Sequence, residues 1–241
     1  MTSINPYFGL PGIGSTIQAQ PIEVLAGNAQ FAQYLPGLKV LSATNCADAG
    51  NVNEDGTYSA DILRAGNMLG IVTATSKYGS SVIGTLAAAV TTSSTSFYAN
   101  AQVIAELARR TGGSGTFTIV GLAATNSTAV TSQTVTFSAA TGTTITTTAL
   151  GTSGAAVQLG ALIMPADGSQ TPRVILGHQT GVKMSNTAGT RADQVTDRLL
   201  IGGFINASKI VWYPTTGTVI QAWIKSQLRG VGQYFTFNDD F

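Results

Sequence analysis

Arg64-Ala-Gly-Asn-Met-Leu-Gly-Ile-Val-Thr-Ala-Thr-Ser-Lys-Tyr78 is the stretch around which this chain of 241 residues reads most coherently. Gly66-Asn67 predicts a turn, because glycine accepts positive φ freely and asparagine tolerates it better than most residues. Met68 to Thr75 carries no charge and is rich in β-branched residues, which predicts a strand buried on both faces. Its expected partner lies almost a hundred residues on, in Pro165-Ala-Asp-Gly-Ser-Gln-Thr-Pro-Arg-Val-Ile-Leu176. There an Asp-Gly turn precedes a second apolar strand, Val174–Leu176. The segment between them differs in composition, so the stretch implies a β core with an insertion.

The same two motifs carry a resemblance. A turn with Ala65-Gly66, then Leu69-Gly70-x-Val72-Thr73-x-Thr75-x-Lys77-Tyr78, and later Asp167-Gly-Ser-Gln-Thr-Pro172 with Val174-Ile-Leu176, resembles the lambda-type bacteriophage head decoration (capsid cement) proteins. The resemblance covers about residues 55–80 and 160–241, and the segment between the motifs is short in that family. It implies a homotrimer on the outer surface of a phage head, made in the host cytoplasm and bound to the major capsid protein through an N-terminal arm. It also implies a helix shortly before the end of the chain and a terminal strand. No cofactor, metal or catalytic residue is expected.

On this reading residues 1–55 are the arm and lead-in, 56–110 and 160–241 the decoration-protein-like core, and 111–159 a Thr-rich β insertion. The fold class is mainly β with two or three short helices (α+β). Residues 1–38 hold one charge, Glu23, and four of the seven prolines, Pro6, Pro11, Pro21 and Pro36. Such density prevents a long helix or a central strand. Yet Ile4, Tyr7, Phe8, Leu10, Ile13 and Ile17 are too apolar for a freely solvated tail. The arm therefore lies over its own domain or docks on another chain by adding a strand to an exposed edge. With the resemblance, Ile4, Pro6, Tyr7, Phe8, Leu10, Pro11 and Ile13 become the capsid-binding candidates.

Further along, Glu23–Tyr34 reads as a short helix, Leu38–Ala43 as a strand and Asp48–Tyr58 as a polar loop. An apolar patch falls at Leu86–Val90. Ala99–Arg110 is the clearest early helix, with Ile104, Leu107 and Ala108 on one face, a Glu106–Arg110 i,i+4 pair, and Gly112-Gly113 as its stop. Residues 111–166 carry no charge. Within them Thr116-Phe-Thr-Ile-Val, Gln133-Thr-Val-Thr-Phe and Thr144-Ile-Thr-Thr-Thr alternate with period two. Turns at Gly121, Thr125–Ser127 and Thr141-Gly142 would make them a β-meander or small sandwich with one Thr-covered face. Neutral strands are sticky at an open edge, so this sheet is expected to close on itself or to be covered by a neighbouring subunit. Leu199–Ile205 and Ile210–Tyr213 read as strands. A helix follows from Thr215 or Thr216 to Arg229, burying Ile220, Trp223, Ile224 and Leu228, with Gly230 as its stop. Gln233–Phe237 closes the chain as a strand.

Composition narrows the chemistry. Charged residues make up 10% of the chain against about 25% in an ordinary globular domain, and the net charge is +1. Twelve Lys and Arg give no basic face, so neither nucleic acid nor an anionic membrane is an expected partner. No stretch approaches the roughly 20 apolar residues of a spanning helix, and the N-terminus lacks the pattern of a signal peptide. Cys46 is the single cysteine and reads as a small buried hydrophobe. His178 is the single histidine and reads as structural. Gly112-Gly-Ser-Gly-Thr116 fails the nucleophile-turn pattern at its last position. Asn51-Val-Asn-Glu-Asp-Gly56 begins like a calcium loop but has Ile62 where the twelfth-position Glu belongs. The expectation is a protein that works by contact, not an enzyme. The alternative is a phage head fibre or a surface- or carbohydrate-binding β module using the Thr-rich strands, whose only aromatics are Phe117 and Phe137.

Overall fold

The computed structural model describes residues 24–26, 32–51, 61–123, 126–150, 154–177, 181–186, 189–215, 218–230 and 233–240. Among the described residues the protein is mainly β with two α-helices, a β-rich α+β fold. Strands β1 (Gln33–Tyr34), β2 (Lys39–Leu41), β3 (Ile62–Leu63), β4 (Met68–Ile71), β5 (Tyr78–Ser80), β6 (Gly84–Thr85) and β7 (Ser96–Tyr98) precede helix α1 (Ala101–Thr111). Then come β8 (Gly115–Ala123), β9 (Asn126–Thr141), β10 (Thr144–Thr147), β11 (Leu162–Pro165) and β12 (Val174–Leu176). The chain ends with β13 (Val182–Lys183), β14 (Gln194–Thr196), β15 (Leu199–Ile205), α2 (Thr218–Leu228) and β16 (Tyr234–Phe237).

The two stretches that organise the sequence pair directly. β4 runs antiparallel to β12 with Leu69 opposite Val174 and Met68 opposite Ile175. β4 has apolar neighbours on both faces: Met68 belongs to one core cluster and Leu69 to another. The expected strand over Met68–Thr75 is shorter, ending at Ile71, because Thr73–Thr75 form an exposed turn. Around this pair the larger sheet runs β1-β15-β12-β4-β5-β2-β14, with β16 added parallel to β15.

Glycines let the two motifs interlock. Gly66 has φ +86° and donates its N–H to Leu176 O at 2.8 Å. A Cβ on Gly70 would clash with Ser169 O and lie 2.5 Å from Thr171 O. A Cβ on Gly168, at φ +101°, would collide with Thr73 Oγ1 and lie 2.9 Å from Ile71 O and Thr73 N, and Thr73 N–H donates to Asp167 O at 2.9 Å. Only backbone without side chains fits this close.

The second sheet runs β6-β11-β8-β9-β10-β7. Its two ends meet: Leu86 bridges Ala99, and Ala87 N–H donates to Tyr98 O at 2.7 Å. The sheet thus closes on itself, one of the two outcomes expected for its uncharged edges. Inside lie Phe97, Phe117, Ile119, Val135, Phe137, Ile145 and Ile163, with Val103, Ile104 and Leu107 of α1 in the same cluster. β9 alternates as read, with Thr134, Thr136 and Ser138 exposed and Val135 and Phe137 buried. β8 departs from that pattern because both its faces are covered. Phe117 and Ile119 enter the closed sheet, whereas Val120 joins Leu162, Met164 and Val82 in the cluster containing Ile220, Ile224 and Leu228 of α2. Thr118 is therefore buried. Gly121 is no turn: it lies within β8, where a side chain would collide with Ala161.

Both helices form where periodicity predicts them. Asn100 caps α1 by accepting from Gln102 N–H, and Gly112 ends it at φ +73°. The expected Glu106–Arg110 pair is instead Glu106–Arg109, 2.8 Å at i,i+3. α2 buries Ile220, Ile224 and Leu228, with Trp223 partly covered. Two further readings are corrected. Gln33–Tyr34 pairs with β15 and Leu25 bridges Ile205, so the described parts of Glu23–Tyr34 are extended where a helix is expected; Glu23 and residues 27–31 lie outside the described residues. Ile210–Tyr213 is a turn following a 3-10 turn at Ala207–Lys209, with Trp212 at φ +64°.

Candidate functional site

The capsid-binding candidates Ile4, Pro6, Tyr7, Phe8, Leu10, Pro11 and Ile13 lie outside the described residues, as does His178. The first described residues are Val24 to Ala26. Val24 is buried, its carbonyl accepts from Asn206 N–H at 2.8 Å, and Ala26 N–H donates to Phe204 O. Val24–Ala26 thus lie along the C-terminal end of β15.

Buried polar groups serve structure. Asp48, fully buried in what reads as a polar loop, accepts from Arg64 Nε at 2.6 Å and Arg64 Nη2 at 2.8 Å. Asn67 Nδ2 donates to the same carboxylate at 3.0 Å, and Gly50 N–H at 3.2 Å. The hydrogen bond to Asp48 raises the Arg64 guanidinium above its ordinary value. This clasp ties the Asp48 loop to the turn that starts β4.

A second group of side chains fixes the turn at 42–46. Arg191 Nε donates to Ala43 O at 3.0 Å and Arg191 Nη2 to Cys46 O, while Arg109 Nη1 and Nη2 reach the same two carbonyls at 3.4 Å. Arg110 Nη1 donates to Ser80 O at 3.2 Å, but its Nε and Nη2 are buried without a partner. Burial pushes the Arg110 guanidinium down, and burial and then Arg109 do the same to Arg191. Cys46 Sγ donates to Tyr78 O at 3.2 Å. Burial raises its thiol to about 11 in spite of the surrounding arginines. Such a thiol is a poor nucleophile. Among the described residues no group of three or more His, Cys, Asp or Glu side chains is placed to hold a metal ion.

The surface offers apolar contact instead. Val40 of β2 pairs with Val195 of β14, the terminal strand of the larger sheet, and both are exposed, as is Leu38. Tyr98, Leu159 and Tyr234 are exposed elsewhere.

A cleft of about 390 Å³ lies between the turn at 158–160 and the turn at 212–215, lined by Leu122, Leu159, Trp212, Tyr213, Pro214 and Ile220 among others. None of its lining residues is charged. Trp212 is held at φ +64°, a region costly for a bulky side chain, and its Nε1 is buried without an acceptor. Tyr213 Oη donates to Asp239 Oδ2 at 2.9 Å, and burial together with this bond pushes the phenol up to about 12. The sequence reading missed this cleft by taking Ile210–Tyr213 as a strand. Its one signal was Pro214 directly after two aromatics.

No family model, curated protein or solved structure matches the chain.

Proposed function

We propose that the chain is a structural virion protein that binds the outer surface of a phage capsid as a homotrimer and stabilises the head, in the manner of the decoration proteins its two motifs resemble. The observation that carries this is the interlock of those motifs. Turn glycines and apolar strands separated by nearly a hundred residues meet in one register, Leu69 on Val174, with Gly70 and Gly168 at the close approaches. Such residues have no chemistry of their own, and their pairing gives a rigid platform for contact.

Two further features support the reading. Exposed Leu38, Val40, Val195, Tyr98 and Tyr234 are apolar groups suited to neighbours in a shell. Many modest contacts, repeated over a lattice, stabilise by multivalency without an active site. In the head-fibre or carbohydrate-binding alternative, sugars would stack on the aromatics of the Thr-rich strands. Phe117 and Phe137 are both buried, ring edge to ring face with centroids 5.7 Å apart. That leaves the alternative without a platform there.

The test is deletion of residues 1–20. The expected product is a folded trimer by light scattering that no longer sediments with phage capsids; undiminished capsid binding refutes the arm assignment, and a monomer at micromolar concentration refutes the trimer.

A further inference from the structure

The cleft beside Trp212 has features of a binding site that the capsid reading does not use. Its volume, about 390 Å³, is at the small end of the range for ligand clefts, about 300–1,000 Å³. It therefore suits a few side chains of an extended segment better than a folded element. The lining is neutral, with Trp212, Tyr213 and Pro214 on one side and Leu159, two-thirds exposed, on the other. A backbone conformation unfavourable for tryptophan is maintained at its wall. Aromatic, uncharged grooves of this kind accept proline-containing peptides, whose fixed φ lowers the entropy lost on docking.

The chain itself carries such a peptide. Pro6-Tyr-Phe-Gly-Leu-Pro11 is neutral, apolar and bracketed by prolines. It is joined to Val24, which belongs to the same apolar cluster as Ile220, with Leu122, Trp212 and Tyr213 packed against that cluster. The 12 residues from Gly12 to Glu23 can span up to roughly 40 Å, about twice the roughly 18 Å radius of gyration of a domain this size, which is the scale needed to bring the segment over the cleft. A tether of this length also places the segment at an effective concentration on the order of millimolar, which favours the chain's own cleft over a neighbour's. We infer that the cleft between residues 158–160 and 212–215 is the docking site of the chain's own Pro6–Pro11 segment. In the free protein the cleft stows the apolar arm, and any partner that captures the arm competes with it.

A full-length chain with photoreactive benzoylphenylalanine in place of Tyr7 tests this, with an equal mixture of ¹⁵N- and ¹⁴N-labelled copies unfolded and refolded together, so that any oligomer is mixed, and then irradiated. The expected products are cross-links from position 7 to residues 158–160 or 212–215, with both peptides carrying the same isotope. Leu159→Glu, at a position exposed enough to leave the fold intact, should lower their yield at least fivefold. Cross-links confined to other parts of the molecule, products of mixed isotope, absence of any product in the folded protein, or an unchanged yield with Leu159→Glu would each overturn it. No capsid is present in this experiment. Failure here therefore leaves arm binding to the shell standing, and failure of capsid binding leaves the cleft assignment standing.

Discussion

Asp48 and Arg64 form a two-point ion pair, with the carboxylate wholly inside the protein and the guanidinium one-third exposed. Removing one partner of a buried pair typically costs about 3–5 kcal/mol, because the other charge is left uncompensated. Asp48 keeps Asn67 Nδ2 and the Gly50 N–H when Arg64 is lost, so Arg64→Met should fall at the lower end of that range. Asp48→Ala strips the acceptor from all of these donors and should cost at least as much. Urea denaturation of both variants measures this; a loss under about 1 kcal/mol for each would mean that the clasp does not hold the β4 turn.

Helix α1 gives a sharper contrast. Arg109 is paired to buried Glu106, whereas Arg110 keeps two buried nitrogens without partners and makes one bond to Ser80 O. Hydrogen bonds between charged groups contribute about 1.5–3 kcal/mol, so Arg109→Met should destabilise by that order. Arg110→Met removes a desolvated charge and keeps the apolar stem, and relieving the cost of burying a charge without an ion-pair partner offsets the lost bond to Ser80 O. Thermal denaturation should therefore rank Arg110→Met at or above the wild type and Arg109→Met well below it. The reverse order would restore the i,i+4 pairing that the sequence suggests.

That pair shows where the sequence is legible and where it is not. Spacing brings Glu106 near both arginines; only the packing of α1 against the 42–46 turn decides that Arg109 takes the carboxylate. The β4–β12 pairing was legible because charge-free runs flanked by turn glycines have few other places to go. The helices were legible from their apolar period and their caps. Ile210–Tyr213 misled, since β-branched and aromatic residues favour strands in general while Trp212 here turns the chain at positive φ. The cleft was beyond reach, because its walls come from two turns about fifty residues apart and no periodic signal links them. Asp48 looked like a solvated loop residue for a similar reason: its partners, Arg64 and Asn67, are distant in sequence and known only from the fold.

The glycines of the interlocked motifs can be tested against one that merely turns the chain. At Gly70 a methyl group meets two backbone carbonyl oxygens that cannot move aside, so Gly70→Ala should cost about 3 kcal/mol or more. At Gly112 nothing lies within 4 Å, and only φ +73° opposes a side chain. Gly112→Ala should then cost about 1–2 kcal/mol. Denaturation midpoints decide this, and equal losses at the two positions would remove the argument that close backbone approach joins β4 to the Asp167-Gly168 turn.

Alkaline pH should weaken the fold through Cys46. Burial holds its thiol at about 11 in the folded protein, against an ordinary value of 9.0. A group whose pKa rises on folding contributes stability that is complete below the unfolded value and is lost as pH climbs through the folded one. Between pH 9 and 11 the unfolded chain therefore ionises Cys46 first, and stability falls by up to about 2–3 kcal/mol over that window. Tyr213, pushed up to about 12 by burial and its bond to Asp239, adds a decline of the same sign that begins near pH 10. Cys46→Ala removes the first contribution and leaves the second, so its stability should stay level from pH 9 to about 10, where the wild type already declines. The same burial leaves the native thiol about a hundredfold poorer in thiolate at pH 8 than an exposed cysteine, so a disulfide reagent should label it only after denaturant is added. Prompt labelling of the native protein, or identical pH profiles for wild type and Cys46→Ala, would show that the 42–46 turn opens to solvent and that the three arginines around it do not hold it shut.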